Sequence, residues 1–502
     1  MYRHGTCTWN PSSLQDLARQ CLLKDSEMSI ADLEDIPMEL FPRLLLDAVS
    51  FLSLKTLKGL VLTWPFPVLP LGIYVHQSNP VTSYFKALMD GLDALLAQKV
   101  RHRRCKLQVV DFRPISEKFW HRWCGIPLKS SAYGKEPVDR GDSRKHTSAS
   151  LEVVLDITFG FAVLPKQVTY ILNWVRERKG VHLCCKKMTL YEEPVPASLL
   201  SVITPECVQE LAVFSTWTLG TMKWFAPFTL LLGQMSNLQR LVFFTRLGPQ
   251  EPQDQKLYGS LLASQLPRLQ SLRELRVECP FFLRGHVGQI LRCLTRSLET
   301  LCITECPLPE PDLTHLCQCP NLTQLKELCL RGVPLCSVGE SLPNLLENCA
   351  STLQDLDLGV CELLDAHLEA ILPVLKLCSQ LRILNLRGNL MSKGTLVLML
   401  RQLAGLPHLM LEVYPASQES YSASKMLHQR TFDLLCAELG EVLRDLGKPR
   451  KISIITHYSC LLCGLKTIYK SEPFIKGGYR PECLIKHISF GLVESETNDS
   501  AF

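Results

Sequence analysis

Four side chains near the end of the chain have the residue types and spacing of a zinc site. Cys460 and Cys463 are separated by two residues, and Cys483 and His487 follow with three residues between them. Thiolates and an imidazole are ligands that tetrahedral zinc prefers in proteins. Only one of the two pairs is a CxxC, however, and the chain has 22 cysteines. We therefore expect unligated thiols and no cofactor, with zinc at these four residues as the alternative.

Motifs for catalysis are missing from the rest of the sequence. It has no phosphate-binding glycine loop, no HExxH and no GxSxG, so we expect no enzymatic activity. The composition, 46% apolar and 21% charged residues, indicates a folded soluble protein. Residues 1–13 lack the apolar core of a signal peptide, and no apolar run is as long as a membrane span. We expect a cytoplasmic protein whose cysteines are reduced.

Two basic runs could contact nucleic acid or a nuclear-import receptor. They comprise residues 99–106 and 448–451, and neither is interleaved with aromatic residues. The net charge of +5 is small for 502 residues and does not point to nucleic acid. The first run ends a predicted helix over 83–100, where cations favour the helix dipole. A solvated helix end is therefore expected, with nuclear import as the alternative and no direct binding to nucleic acid.

A short segment with a proline could dock a partner protein. Ile36 and Pro37 precede Leu40 and Leu44, which lie one helical turn apart on one face. Proline suits the first turn of a helix. The spacing matches the cullin-2 box, a helical docking element of ubiquitin-ligase receptors. Packing of the same residues against the first repeat is the alternative.

A second segment is a partial match to the box that binds the elongin B and C adaptor. Leu17 and Cys21 have the expected spacing. Asp25 stands where that box has an aliphatic residue, and Asp16 stands where a small residue is usual. An amphipathic cap helix would explain Leu17 and Cys21 equally well.

A recurring leucine pattern provides the scaffold for these segments. Its central residues are spaced 26, 27, 28 and 28 positions apart, at Leu275, Leu301, Leu328, Leu356 and Leu384. This period is typical of leucine-rich repeats, which pair one strand with one helix and stack into an α/β solenoid (horseshoe). The repeat pattern continues with Asn or Cys after the strand, at Cys306, Cys361 and Asn389. It predicts a concave surface that binds a macromolecule.

Weaker copies extend the array toward the N-terminus. Their predicted strands lie at 108–112, 154–157, 182–185, 210–213 and 238–243. A Gly-, Ser- and charge-rich stretch at about 130–150 predicts a disordered insertion. We expect three regions: a helical cap at 1–104, the solenoid at 105–415, and a C-terminal region at 416–502 with a helix at 431–446 and a strand at 451–456.

The predicted concave face has charges of both signs. Alternate strand residues share one face, which groups six side chains: Glu274, Arg276, Asp355, Asp357, Asn385 and Arg387. Mixed signs suit a protein partner better than a polyanion. We therefore predict that this face binds protein substrates.

Several long strings resemble the PRAME family (preferentially expressed antigen in melanoma), among them 39–42, 63–67, 183–187 and 281–285. The resemblance implies a substrate receptor of a cullin-2 RING ubiquitin ligase, with elongin B/C, whose targets go to the proteasome. It also implies the alternative of a transcriptional corepressor or scaffold that affects proliferation, apoptosis and differentiation without a ligase. Ile36, Pro37, Leu40 and Leu44 match the family's docking box.

The corepressor alternative would use LxxLL helices. Residues 92–96 and 342–346 fit that pattern. The first lies on the apolar face of the predicted helix over 83–100, so we expect its leucines to pack in the core. A zinc-stabilised scaffold is a third hypothesis, tested by metal content.

Overall fold

The computed structural model describes most of the chain. Some of the predicted site residues lie among the described residues, and others lie outside them. The described residues are 30–72, 82–114, 119, 151–160, 164–191, 202–215, 227–245, 252–278, 283–292, 294, 296–338, 341–423, 426–447, 450–456 and 485–490. The elongin segment with Leu17 and Cys21, the insertion at 130–150, and Cys460, Cys463 and Cys483 lie outside them. His487 is described only as part of a strand.

Two compact units make up the chain. One comprises residues 1–188 with 195–204, and the other residues 189–194 with 205–502. The boundaries at 104 and 415, taken from the repeat pattern, stay predictions. Within the described residues, no helix is long and apolar enough to span a membrane.

The first unit combines helices with a parallel sheet. Its helices are α1 (Ile30–Glu34), α2 (Phe41–Ser50), α3 (Leu54–Leu62), α4 (Ser83–Ala97) and α5 (Lys166–Arg176). Its strands are β1 (Val68–Pro70), β2 (Val109–Asp111), β3 (Leu151–Val154), β4 (Ile157–Phe159) and β5 (Val181–Cys184), and the sheet order is β1-β2-β3-β5. Helix α4 confirms the helix predicted over 83–100. Leu92 and Leu95 are buried, so this LxxLL segment is part of the core.

The second unit repeats a strand and a helix. Strand β6 (Lys187–Tyr191) lies at the division, and the following strands are β7 (Glu210–Ser215), β8 (Arg240–Thr245), β9 (Glu274–Glu278), β10 (Thr300–Thr304), β11 (Glu327–Cys329), β12 (Asp355–Asp357), β13 (Ile383–Asn385), β14 (Leu411–Pro415), β15 (Arg450–Ile455) and β16 (Ile485–Phe490). The helices are α6 (Pro252–Gln265), α7 (Val287–Arg292), α8 (Glu310–Cys317), α9 (Leu342–Cys349), α10 (Asp365–Leu375), α11 (Lys393–Leu403) and α12 (Gln429–Asp445). Strands β7 to β15 pair in parallel, and β16 pairs antiparallel with β15.

A row of leucines forms the core beneath the second sheet. Leu275, Leu301, Leu328, Leu356 and Leu384 are direct partners in neighbouring strands. Their side chains are between 0% and 4% exposed. Burying one leucine side chain contributes about 1.5–3 kcal/mol. The repeat spacing places them in line, and the predicted α/β leucine-rich-repeat fold is confirmed.

The corner after β13 is held by a buried polar side chain, that of Asn389. Asn389 Oδ1 accepts hydrogen bonds from the N–H groups of Cys361 and Leu363, at 3.0 and 3.1 Å. Its Nδ2 donates to the carbonyl oxygens of Leu358 and Leu386, both at 2.8 Å. These bonds satisfy buried backbone N–H and C=O groups in two consecutive repeats. They explain why the pattern requires a small polar residue at this position.

The sheets depart from the single continuous array that the pattern predicts. The earliest predicted strands, at 108–112, 154–157 and 182–185, correspond to β2, β3 and β5 with shifts of up to three residues, and form the separate sheet of the first unit. The second sheet also continues beyond residue 415, because β14 pairs with β15. Helix α12 and strand β15 confirm the predicted helix at 431–446 and strand at 451–456.

Candidate functional site

The docking segment of the first unit, residues 36–44, contains a short 3₁₀ turn between helices α1 and α2 and the first residues of α2. Pro37 has φ −54° and precedes a 3₁₀ turn at Met38–Leu40. The N–H of Leu40 donates to the carbonyl oxygen of Pro37 at 3.0 Å. Helix α2 starts immediately afterwards, with Pro42 in its first turn. The proline-rich sequence therefore fixes the backbone of this segment with few free torsions.

Burial divides the predicted docking residues into two groups. Leu44 is 0% exposed and Ile36 is 7% exposed, so both belong to the core. Docking through these two residues stays a prediction, and in the folded chain their side chains are not accessible, because Leu44 lies on the buried side of α2. Pro37 is exposed and Leu40 is half-buried. With the exposed Met38, these two residues form the docking edge, the apolar surface available at this segment.

Arg104 anchors the backbone beside the docking edge. Its Nη1 donates to the carbonyl oxygens of Leu33 and Ile36, at 2.9 and 2.8 Å. Its guanidinium lies 5.8 Å from the centroid of the Phe41 ring, a cation–π distance. The carbonyls at the end of α1 are thereby satisfied by a cation, which also favours the dipole.

Neighbours of Arg104 in the basic run have similar roles. His102 hydrogen-bonds Glu34, and Arg103 Nη2 lies 2.9 Å from the same carboxylate. Partial burial opposes ionisation of Glu34, but these contacts outweigh it and hold its pKa below the ordinary value. Arg101 Nη1 donates to the carbonyl oxygen of Leu107 at 2.6 Å. The side chain of Arg103 is solvent-exposed, as expected for a solvated helix end, but His102 and Arg104 are half-buried and fasten the segment before β2 to α1 and the residues after it.

The second candidate is the sheet face of the second unit opposite the leucine row, here called the charged face. An ion-pair chain crosses it. Arg276 donates a hydrogen bond to Glu274 on its own strand. Its Nη1 and Nη2 donate to Oε1 and Oε2 of Glu327, at 2.9 and 2.6 Å. Arg240 Nε lies 3.2 Å from Glu274. Such bidentate pairs hold side chains in one geometry, and these side chains stay half-exposed to solvent.

Three of the six residues predicted for this face are closed off. Asp357 is 6% exposed, Arg387 2% and Asn385 0%. Asp357 Oδ1 accepts the N–H of Gly359 at 2.9 Å, and Asn385 Oδ1 accepts the N–H of Arg387 at 3.2 Å. That the six residues bind a substrate stays a prediction, and these three are buried where the chain leaves the strand. Glu274, Arg276 and Asp355 stay half-exposed.

A cavity of about 220 Å³ opens between the ion pair and the closed residues. Its lining includes Arg276, Glu327, Cys329, Asp355, Asp357 and Ile383. The sequence analysis missed Glu327, Cys329 and Ile383. The signal was available, since Glu327 and Ile383 lie 28 residues on either side of Asp355 and pair with it in register.

Three thiols of this unit, Cys317, Cys349 and Cys378, behave as buried hydrophobic groups. Burial raises the pKa of Cys349 to about 12 and the pKa values of Cys317 and Cys378 to about 11. Cysteines with a raised pKa are poor nucleophiles and poor metal ligands. Among the described residues, no group of three or more His, Cys, Asp or Glu could hold a metal ion.

Known proteins match nearly the whole chain. The family model described as PRAME N-terminal domain matches residues 11–120, and the model described as PRAME C-terminal domain matches residues 151–476. The chain belongs to the PRAME family. Human (Homo sapiens) PRAME family member 12 is 41% identical over 470 residues, covering 92% of this chain and 96% of that protein. Human PRAME family member 7 is 40% identical over 476 residues, covering 92% and 98%.

Family membership confirms the resemblance found in the sequence. In this PRAME family chain the docking edge lies within the N-terminal match and the charged face within the C-terminal match. A solved structure titled as the Rad7 and Elc1 complex in yeast aligns with 84% of this chain and 100% of that chain, at 14% identity and a TM-score of 0.35. A TM-score this low supports no inference about partners.

Proposed function

We propose that this PRAME family chain is the substrate receptor of a cullin-2 RING ubiquitin ligase. The chain binds target proteins on its charged face for ubiquitination and proteasomal degradation, acts in the cytoplasm, and performs no chemistry itself. The observation that carries the proposal is the docking edge: Pro37, Met38 and Leu40 are accessible between two buried residues, Ile36 and Phe41.

Rigidity makes this small edge suitable for binding. Ile36 and Phe41 fix its two ends, and Arg104 fixes the carbonyl at its start. A pre-ordered segment loses little conformational entropy on association, so more of the apolar contact energy appears as affinity. Stable interfaces bury about 800 Å² per partner, more than three side chains provide. We therefore propose that the segment with Leu17 and Cys21 adds the contact to elongin.

The corepressor alternative receives less support from the described residues. Its LxxLL motifs would have to present their leucines to a receptor. Leu92 and Leu95 of the first motif and Leu342, Leu345 and Leu346 of the second are buried. Exposing them would require unfolding of α4 or α9, so we favour the ligase.

The decisive test is the double substitution Pro37→Ala with Leu40→Ser in the full chain. Because both side chains are at least partly exposed, we expect the free energy of unfolding to change by less than about 1 kcal/mol. Co-purification of cullin-2 should be lost. Val100→Ser is the matched control, since it removes an exposed apolar side chain of the same unit outside the docking edge.

Two outcomes would contradict the proposal. One is undiminished recovery of cullin-2 with the double variant, and the other is an equal loss with the control. Leu44→Ser is unsuitable for this test, because a polar side chain at a fully buried position destabilises α2 whatever the partner.

A further inference from the structure

The cavity on the charged face is too small for most cofactors and large enough for one side chain. Small-molecule sites usually measure about 300–1,000 Å³. This one measures about 220 Å³ and is open to the surface. A cavity of this size fits one side chain of a larger molecule that would rest on the face around it.

The side chains that line the cavity carry more negative than positive charge. Three carboxylates line it, those of Glu327, Asp355 and Asp357, against the single guanidinium of Arg276. Arg276 is already engaged, because it bonds Glu327 bidentately and also Glu274. Two carboxylates remain without a full counter-charge in the cavity.

Asp355 is the accessible member of this pair. Its side chain makes no ion pair or hydrogen bond with any residue that the structure describes. Burial, followed by the nearby charge of Glu327, raises the pKa of Asp355 above its ordinary value, while Arg382 and Arg276 act in the opposite direction without bonding it. A half-buried carboxylate of this kind is poorly solvated and gains from a cationic partner.

Asp357 is the inner member, and it is 94% buried on the basis of its 6% exposed surface. Its Oδ1 accepts the N–H of Gly359, but within the described part of the chain its Oδ2 accepts no hydrogen bond. Arg331 lies close enough to balance part of its charge, again without a bond. A buried acceptor with an unfilled lone pair is costly, so Asp357 gains from any further donor that approaches through the cavity.

We propose that this cavity receives an arginine side chain of the bound protein, whose guanidinium donates to Asp355 and offers a further donor toward Asp357. The planar guanidinium has five donors and matches paired carboxylates better than an ammonium does. Cys329 and Ile383 supply apolar contact for the aliphatic stem. The identification of that protein as a ligase substrate rests on the proposed function, whereas the chemistry of the cavity does not.

Ligand-observed NMR on the purified full chain tests the inference directly. The probes are two capped tripeptides, acetyl-Gly-Arg-Gly-amide and the same peptide with citrulline, the neutral isostere of arginine. We expect the arginine peptide to bind about tenfold tighter, the ratio expected for one charge-assisted hydrogen bond. The preference should fall as salt is added, because the face is open to solvent. A peptide with lysine should bind more weakly than the arginine peptide.

Asp355→Asn and Glu210→Gln are the matched variants. Asn keeps the shape of Asp355 and removes its charge, and the arginine preference should then fall to about one. Glu210 is also the first residue of its strand and half-exposed, but it lies outside the cavity lining, so Glu210→Gln should keep the preference. Equal binding of the two peptides to the wild-type chain, or an arginine preference that survives in Asp355→Asn, would overturn the inference.

Ligase binding is measured on the same variants to separate the two proposals. If Asp355→Asn loses the arginine preference and still co-purifies with cullin-2, both proposals are supported. A wild-type chain that prefers arginine and never recovers cullin-2 supports the cavity and contradicts the ligase. A chain that recovers cullin-2 and shows no arginine preference contradicts the cavity alone.

Discussion

The charged face of the second unit differs between its earlier and its later strands, although both follow the same repeat. On β8 and β9 the residue after the core leucine is Val242 or Arg276, and both are half-exposed. On β12 and β13 the corresponding residues, Asp357 and Asn385, are buried. The same sequence position is therefore accessible in one region and buried in the other.

The residues three positions after the core leucines also differ between the two regions. Arg331 and Arg387 follow the later strands β11 and β13, and both are buried, at 4% and 2% exposed. Gly359 provides the space: a Cβ there would lie 3.2 Å from Arg387 Cγ and 3.1 Å from Asp357 Oδ1. On β7 and β8 the corresponding positions hold Phe214 and Phe244, which pack on each other at 5.7 Å and stay half-exposed.

The largest expected effect tests whether the two regions share one core. Leu241→Ala, in the more open region, and Leu328→Ala, in the closed region, should each lower the free energy of unfolding by about 2–5 kcal/mol, since both side chains are 0% exposed. Urea denaturation followed by circular dichroism measures it. A cost below about 1 kcal/mol for either variant would show that its leucine is not part of a packed core.

A smaller effect concerns the close packing of Arg387 and Asp357 beside Gly359. Gly359→Ala places a methyl group against Arg387 and Asp357, and we expect a loss of about 1–3 kcal/mol as these side chains shift. Gly405→Ala is the matched control, because its Cβ would meet nothing within 4 Å. If both variants have the same stability, the burial of Arg387 and Asp357 does not depend on the space at Gly359.

The smallest effect is a gain of stability at Asp355. Its pKa is raised above the ordinary 3.8, so the folded chain holds this proton to a higher pH than the unfolded chain does. The contribution of Asp355 to stability therefore falls as the pH rises from about 3.8 through the folded pKa, and it stays lowered above that. Asp355→Asn should then be slightly more stable than wild type at pH 7 and equal to it at pH 3.

Thermal unfolding across this pH range measures the difference. A variant that is less stable than wild type at pH 7 would mean that Asp355 is held by favourable contacts, as Asp357 is. Asp355 would then resemble Asp357, and the contrast between these two carboxylates of β12 would be contradicted.

The repeat pattern determined most of the second unit. Period and leucine placement predict the register of the core row, and every leucine from Leu275 to Leu384 in that row is buried as expected. They also predict the buried corner residues Cys361 and Asn389. These features are local and repeated, so each copy is constrained by the same neighbours and the sequence alone is sufficient.

Only the tertiary structure decided which residues a partner can reach. Alternation in a strand predicts which face a side chain shares, but not whether packing buries it there, as it buries Asp357 and Asn385. Helix periodicity placed Leu40 and Leu44 together, whereas the packing of α2 buries one and leaves the other half-exposed. The bonds from Arg104 to Leu33 and Ile36 join residues about 70 positions apart. Such contacts depend on how distant segments pack, which no local pattern in the sequence contains.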